Sequence, residues 1–292
     1  MGPRDGLQNE DPIPTDAKVS LIDALSLTGV ERIEAVSFVR PLAIPQMADA
    51  DEVWSRINRA SGVRYSALVP NLRGALRAID AGMTELEVVV SASETHNLKN
   101  VNRTTGESLD EIAAVLDMAH LRGATVQVIV STAWGCPYEG EVPVRRVVSV
   151  ASRAVRDGAA SVSFGDTTGM ATPTRVRTLV GAFREANPGT PLNMHFHNTR
   201  GTGLANVLAA LELGVADFDA SVGGLGGCPY APGATGNVAT EELVHMAEDM
   251  GIDTGISLDA MLEAAAEAER AVGHTLPSQL LRAGPRTRTI LA

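Results

Sequence analysis

Pro191-Leu192-Asn193-Met194-His195-Phe196-His197-Asn198 is the stretch whose reading decides the fold. It reads as a β-strand, and on a strand residues i and i+2 project to the same face. His195 and His197 therefore point together, and Phe196 points the other way. A glycine-containing turn and a helix over residues 202–213 follow. One histidine at such a place reads as a polar cap on a strand. Two neutral imidazoles side by side at a strand's end begin a divalent-metal site.

The same strand-then-helix unit recurs on both sides of this stretch. Strands are expected at residues 31–38, 63–69, 85–92, 125–131, 160–164, 191–198 and 217–222. Helices are expected at 16–27, 49–60, 71–81, 108–121, 144–156, 173–186, 202–213 and 240–250, with a long polar loop over 93–107. Alternation of this kind argues for an all-parallel sheet, and near-continuous apolar strands argue for a sheet covered on both faces. The expected fold is an α/β (β/α)8 TIM barrel over residues 1–252, with a short helical extension over 253–292. A doubly wound sheet is the alternative. It lacks its phosphate-binding Gly-x-Gly-x-x-Gly after a first strand, since Gly223-Gly224-Leu225-Gly226-Gly227 comes too late. Only Met1-Gly2-Pro3 precedes Arg4 where an eighth strand belongs, so the first strand is expected to be truncated, leaving two unpaired edges.

The chain has 292 residues, 45% of them hydrophobic but only 3% aromatic, so its core must be built from Ala, Val, Leu and Ile. A net charge of −11 with no Lys/Arg run argues against a nucleic-acid partner. Two cysteines, Cys136 and Cys228, fit a reducing compartment better than a disulfide framework. No segment has membrane-spanning length and no secretory signal is visible, so a cytoplasmic protein with no membrane partner is expected.

In a barrel the chemistry gathers at the C-terminal ends of the strands. The polar residues there are Arg4, Asp5, Glu34, Ser91, Glu94, Thr132, Tyr138, Asp166, His195 and His197, together with the loop holding Cys228 and Asn237. Asp5, His195, His197 and Asn237 would offer a carboxylate, two nitrogens and an amide oxygen. With positions open for water and substrate, that set suits octahedral Mg2+ or Mn2+ better than a closed tetrahedral Zn2+. Taken singly, Asp5 is a turn residue, Asn237 a helix cap and Asp166 a cap for the helix behind it. Their convergence is what raises them. Arg4 beside Asp5 is either an ordinary ion pair or a fixed cation for a substrate carbonyl or enolate. Cys228, in a Gly/Pro-dense loop at the mouth, is a better acid/base candidate than a buried thiol. Cys136 has no evident partner. Residues 93–100 and Arg103 form a polar lip, read as solvated.

Several motifs together carry a family resemblance. They are Gly2-Pro3-Arg4-Asp5-Gly6-Leu7-Gln8-Asn9-Glu10, Glu34-Ala35-Val36-Ser37-Phe38-Val39, Pro45-Gln46-Met47-Ala48-Asp49, Gly135-Cys136-Pro137-Tyr138-Glu139-Gly140, Gly165-Asp166-Thr167, His195-Phe196-His197, and the loop from Gly223 to Asn237 running into Ala239-Thr240-Glu241. In this order they resemble the 3-hydroxy-3-methylglutaryl-CoA lyases. The Gly-rich Cys loop is particular to the lyases. The Arg-Asp-Gly and His-x-His elements are shared with a wider metal-dependent superfamily that includes isopropylmalate and homocitrate synthases.

The resemblance implies a divalent cation, Mg2+ or Mn2+, held by Asp5, His195, His197 and Asn237. It implies Arg4 on the substrate carbonyl, Asp166, Cys228 and Glu34 around the reacting centre, and Gln8, Tyr138 and Thr167 with Arg4 on the substrate. The implied partner is an acyl-CoA, the implied assembly a homodimer, and the implied reaction retro-aldol (Claisen-type) cleavage to acetyl-CoA and acetoacetate. Asn198 and Arg200 stand where the family commonly has Asp and Tyr, which leaves the acyl group open. A Claisen-condensing acyltransferase of the isopropylmalate/homocitrate synthase type is the alternative, and a non-catalytic barrel the third reading.

Overall fold

The computed structural model describes residues 1–226 and 236–289. Seven strands form one parallel sheet in sequential order: β1 (Arg32–Ser37), β2 (Arg64–Leu68), β3 (Glu85–Ser91), β4 (Thr125–Ser131), β5 (Ser161–Gly165), β6 (Leu192–His195) and β7 (Asp217–Asp219). Sequential parallel neighbours need a crossover between every pair, and helices supply them. After the leading α1 (Thr15–Ser26), the crossovers are α2 (Ala50–Arg56), α3 (Leu72–Asp80), α4 (Glu94–Val101) with α5 (Thr105–Leu121), α6 (Val144–Arg156), α7 (Pro173–Ala186) and α8 (Gly203–Leu211); α9 (Thr240–Asp249), α10 (Leu258–Val272) and α11 (Gln279–Ala283) follow β7.

The helices lie on the outer face and bury small and branched side chains against the strands. Val147, Val150, Ala151 and Ala154 of α6 and Val176, Leu179, Val180 and Phe183 of α7 are all buried. Alanine at the contact lets helix and strand approach closely, which is how a chain poor in aromatics still fills its core. The few aromatics are concentrated. Phe164 stacks edge-on to Phe183 at 5.2 Å and to Trp134 at 6.3 Å, and Trp134 lies 5.3 Å from Phe196. Phe196 thus faces the core, as its place between the two histidines requires.

The inner face is polar. Arg32 on β1 donates to Asp219 on β7 at 3.1 Å and to Gln127 on β4 at 3.0 Å. Ser66 donates to Glu87 at 2.7 Å, and Ser161 donates to Gln127 at 3.1 Å. The sheet therefore curls into a half-barrel whose two edge strands are joined by the Arg32–Asp219 pair. An eighth strand is not found among the described residues. The turn Gly2–Gly6, one π-helical turn, packs against β1 and the short 3-10 turn Val222–Gly224.

Two features differ from the sequence reading. The segment expected as a polar loop over 93–107 holds α4 and the first turn of α5. Ser93 caps α4 by accepting the His96 N–H at 3.2 Å. Thr104 and Glu107 form a reciprocal capping box on α5. Ser93 and Thr104 are ordinary capping residues; their polarity reads as loop unless the cap is recognised. Strand β3 is also less apolar than it reads, because Glu85, Glu87 and Ser91 share the inner face at a period of two.

Candidate active site

The C-terminal ends of the strands bring the expected ligands together. His195 ends β6. Two residues on, His197 pairs with Asn237 as an antiparallel bridge. Val238 N donates to Phe196 O at 3.1 Å and Asn198 N to Gly236 O at 2.6 Å, so residues 236–238 run as a short ribbon beside the histidines and deliver Asn237 to them. The imidazole centroids are 4.9 Å apart. Ligand atoms of Asp5, His195 and His197 all lie within 4.8 Å of one another.

Asn237 Nδ2 donates to Asp5 Oδ2 at 2.8 Å and to Leu225 O at 2.9 Å. Its Oδ1 is buried without a partner, as is His197 Nδ1. Gly226, with φ +104, makes room for this amide: a Cβ there would sit 2.5 Å from Asn237 Nδ2.

Electrostatics prepare the same groups for a cation. Burial lowers the pKa of His195, and burial with the adjacent His195 pushes His197 down to about 3, so both imidazoles are neutral with lone pairs to give. Burial works against ionised Asp5, but Arg4, the two histidines and the Asn237 bond outweigh it and hold the carboxyl well below its usual range. A carboxylate, two neutral imidazoles and an unpartnered amide oxygen fit a divalent metal.

Arg4 is buried beside this cluster. Its Nε donates to Glu34 Oε1 at 2.6 Å, its Nη1 to Asp5 Oδ1 at 2.9 Å and to Gln8 Oε1 at 3.5 Å, and Gln8 Nε2 donates to Asp5 Oδ1 at 2.9 Å. Of the two expectations for Arg4, the ion pair is present, and it fixes the guanidinium next to the ligands. Glu34 Oε2 is buried without a partner, and burial, with Glu87 nearby, pushes this carboxyl up to about 8 against the pull of Arg4.

Asp166 follows β5, and its N–H donates to His195 O at 2.8 Å. It does not cap α7, whose N-cap is Thr172. Its Oδ1 instead closes its own loop by accepting Met170 N at 2.7 Å and Ala171 N at 3.0 Å. The other oxygen is buried without a partner, and burial pushes the carboxyl up to about 7. Thr167 Oγ1 accepts the Thr132 N–H at 2.9 Å, tying the loops after β4 and β5 together.

Tyr138 stands on the rim, half-exposed, with Lys99 Nζ 4.9 Å over its ring and the His96 ring 6.4 Å away. Glu94 accepts the Thr105 N–H and braces the rim helices. Cys228 lies outside the described residues. Cys136 does have partners: Ser93 Oγ donates to its Sγ at 2.9 Å and Tyr138 N at 3.3 Å. The polar lip is solvated along Glu94 and residues 98–100, while its inner side is built in: Asn97 is buried and its Nδ2 bonds Arg103 O, Thr104 O and Ser108 Oγ. Sequence reasoning missed Glu87 and Asp219 below the site; Ser91 and Thr132, expected at the strand ends, meet as a hydroxyl pair at 2.7 Å. Period-two polarity along β3 was the available signal for Glu87. Thr132 sits at φ +55, unusual for a β-branched residue, and nothing in its residue type announces that.

A seven-stranded parallel half-barrel with an Asp/His/His cluster at its mouth defines a class of metal-site α/β barrels. The HMGL-like family profile matches residues 1–267, and the chain belongs to that family. It is 46% identical over 283 residues to a hydroxymethylglutaryl-CoA lyase of Bacillus subtilis, covering 97% of this chain and 95% of that one. It is 44% identical to the cytoplasmic 3-hydroxy-3-methylglutaryl-CoA lyase of Rattus norvegicus, covering 99% and 84%. The Bacillus HMG-CoA lyase crystal structure superposes with a TM-score of 0.95 at 46% identity, covering 97% and 95%. An Acinetobacter baumannii HMG-CoA lyase in complex with coenzyme A and 3-methylmalate superposes with a TM-score of 0.95 at 45% identity, covering 100% and 95%. Carboxyl transferase domains of a Rhizobium etli pyruvate carboxylase, at 18% identity and a TM-score of 0.72, share the fold.

Proposed function

We propose that this chain is a hydroxymethylglutaryl-CoA lyase, cleaving 3-hydroxy-3-methylglutaryl-CoA to acetyl-CoA and acetoacetate. The observation that carries this reading is the meeting of Asp5, His195 and His197 within 4.8 Å beside a buried arginine, in a chain 46% identical to a curated lyase. Asp5, His195, His197 and Asn237 would hold Mg2+ or Mn2+. When bound, such an ion acidifies a substrate hydroxyl and polarises its oxygens.

The protein's own groups supply the rest. The substrate C3 hydroxyl loses its proton, the C2–C3 bond breaks, C3 becomes the ketone of acetoacetate, and the C2 electron pair becomes a thioester enolate. Asp166, with one unpartnered oxygen and a pKa raised to about 7, takes up the hydroxyl proton. Arg4, held by Glu34, donates to the thioester oxygen as negative charge grows there. Cys228 returns a proton to the enolate carbon. Gln8 and Thr167 flank the acyl group, and Tyr138 and Lys99 stand on the rim where the CoA arm enters. The reading keeps a barrel over residues 1–252 with 253–292 packed on it, a homodimer, and a cytoplasmic location with no nucleic-acid or membrane partner. Among the described residues no helix is long and apolar enough to cross a membrane.

Product analysis tests the proposal. Purified protein with Mn2+ and 3-hydroxy-3-methylglutaryl-CoA should release acetoacetate and acetyl-CoA in equal amounts. Condensation of acetyl-CoA with a 2-oxo acid, and no cleavage, would put the synthase reading in its place.

A further inference from the structure

Arg200 lies three residues past His197, and its guanidinium grips the neighbouring loop. Nη1 donates to Thr168 O at 2.5 Å and to Gly169 O at 3.0 Å. Two residues further on, Ala171 O is held by Thr202 Oγ1, donating at 3.2 Å, and by Asn206 Nδ2 of α8, donating at 3.1 Å. The loop so held, residues 166–171, is the one that carries Asp166 and wraps around its carboxyl through Met170 N and Ala171 N. The two segments pack backbone to side chain at Gly169, where φ is +61 and a Cβ would stand 2.6 Å from Thr199 Cβ.

We propose that Arg200 is a positioning residue of the reaction: it fixes the loop of Asp166 against the segment that carries the histidine ligands. The inference rests on the lyase reading above. The chain geometry supports it. Among the described residues, the hydrogen bond from Asp166 to β6 is made by its own N–H, which leaves the far side of its loop to be held from residues 199–206. A guanidinium donating twice to carbonyl oxygens makes charge-assisted bonds that a water cannot replace with the same rigidity. Arg200 is itself exposed. Its removal opens no core cavity and lets water reach the two carbonyls, so the effect falls on the placement of a carboxyl more than on stability. Misplacement of a reacting group by about 1 Å costs on the order of 100-fold in rate.

The test compares the full chain with Arg200→Met and Arg200→Lys. Wild-type cleavage of 3-hydroxy-3-methylglutaryl-CoA is established first, so failure of the lyase reading is seen before any variant is compared. In Arg200→Met, kcat should fall roughly 10- to 100-fold with KM and melting temperature little changed, and Arg200→Lys, which keeps donors for both carbonyls, should recover most of it. Amide exchange gives a readout independent of substrate. The Met170 and Ala171 N–H groups that bond Asp166 should exchange about tenfold or more faster in Arg200→Met, with the sheet unchanged. Unaltered exchange in that loop overturns the proposal. So does a kcat within twofold of wild type, or a raised KM at constant kcat, which would make Arg200 a substrate-anion contact.

Discussion

Arg4 is bound on one side by Glu34 and on the other by Asp5, all three out of bulk water. An arginine confined this way keeps its charge and its direction. Arg4→Met should therefore lower kcat on the order of 100- to 1,000-fold, the range for losing one donor to a developing oxyanion, with a smaller change in KM. Unchanged kcat would assign Arg4 to structure alone. Asn237 has two functions carried by one amide: its Nδ2 orients Asp5, and its Oδ1 is turned to where a metal would bind. Asn237→Ala removes both and should weaken Mn2+ binding roughly 10- to 100-fold in calorimetry, whereas binding equal to wild type would leave the amide outside the site. At this scale the sequence was legible where spacing implies geometry, as in His-x-His, and illegible where a contact is made across the fold. Barrel topology brings Asn237 to Asp5, 232 residues away, but no pattern within the chain announces the bond that joins them or the Arg32–Asp219 pair across the sheet edges.

The elements themselves were legible because crossover helices and buried strands leave different periods, 3.6 and 2. Strand β4 and helices α6 and α7 fall where periodicity places them. Helix α4 did not, because its eight residues are polar apart from Leu98 and Val101 and its stability comes from the Ser93 cap and the buried Asn97 network. The aromatic wedge Trp134, Phe164, Phe183 and Phe196 joins the loop after β4 to β5, α7 and the histidine segment. Phe164→Ala should destabilise the protein by about 3–5 kcal/mol in urea unfolding; a cost below about 1 kcal/mol would mean the wedge collapses to fill the space.

The end of α10 is tied to the N-terminal loop where His274 Nε2 meets Glu10 Oε2 at 2.6 Å. The bonds to Glu10 and to Thr275 O raise His274 above its ordinary 6.5. The unfolded histidine loses its proton first as pH rises. The contribution is thus full below pH 6.5 and is lost as pH climbs through the higher folded value. The pair is half-exposed and screened, so His274→Gln should cost only about 0.5 kcal/mol at low pH and nothing in alkaline buffer. An equal cost at both would remove the charge from the explanation.

For the whole molecule, the buried polar inner face is the costly feature. Arg32, Glu87, Gln127 and Asp219 occupy a half-barrel interior that apolar residues could have filled; the period-two signal is weak in the sequence because Val89 and Ile129 break the polar row on the inner face of β3 and β4. A cation at the mouth would act on the entire fold by mass action. At a metal concentration 100 times its dissociation constant the folded state gains about 2.7 kcal/mol, so Mn2+ should raise the melting temperature of wild type and leave that of Asp5→Ala unmoved. An equal rise in both would place the ion elsewhere.

Asp5, His195 and His197 are proposed to hold the ion on which carbon–carbon cleavage depends. The measurement that tests it most directly is acetoacetate release from 3-hydroxy-3-methylglutaryl-CoA by wild type and by Asp5→Ala, each after chelation and again after adding Mn2+. Wild type should be silent after chelation and active on re-addition, and Asp5→Ala silent throughout while still folded. Chelator-resistant cleavage, or full activity in Asp5→Ala, would contradict the claim.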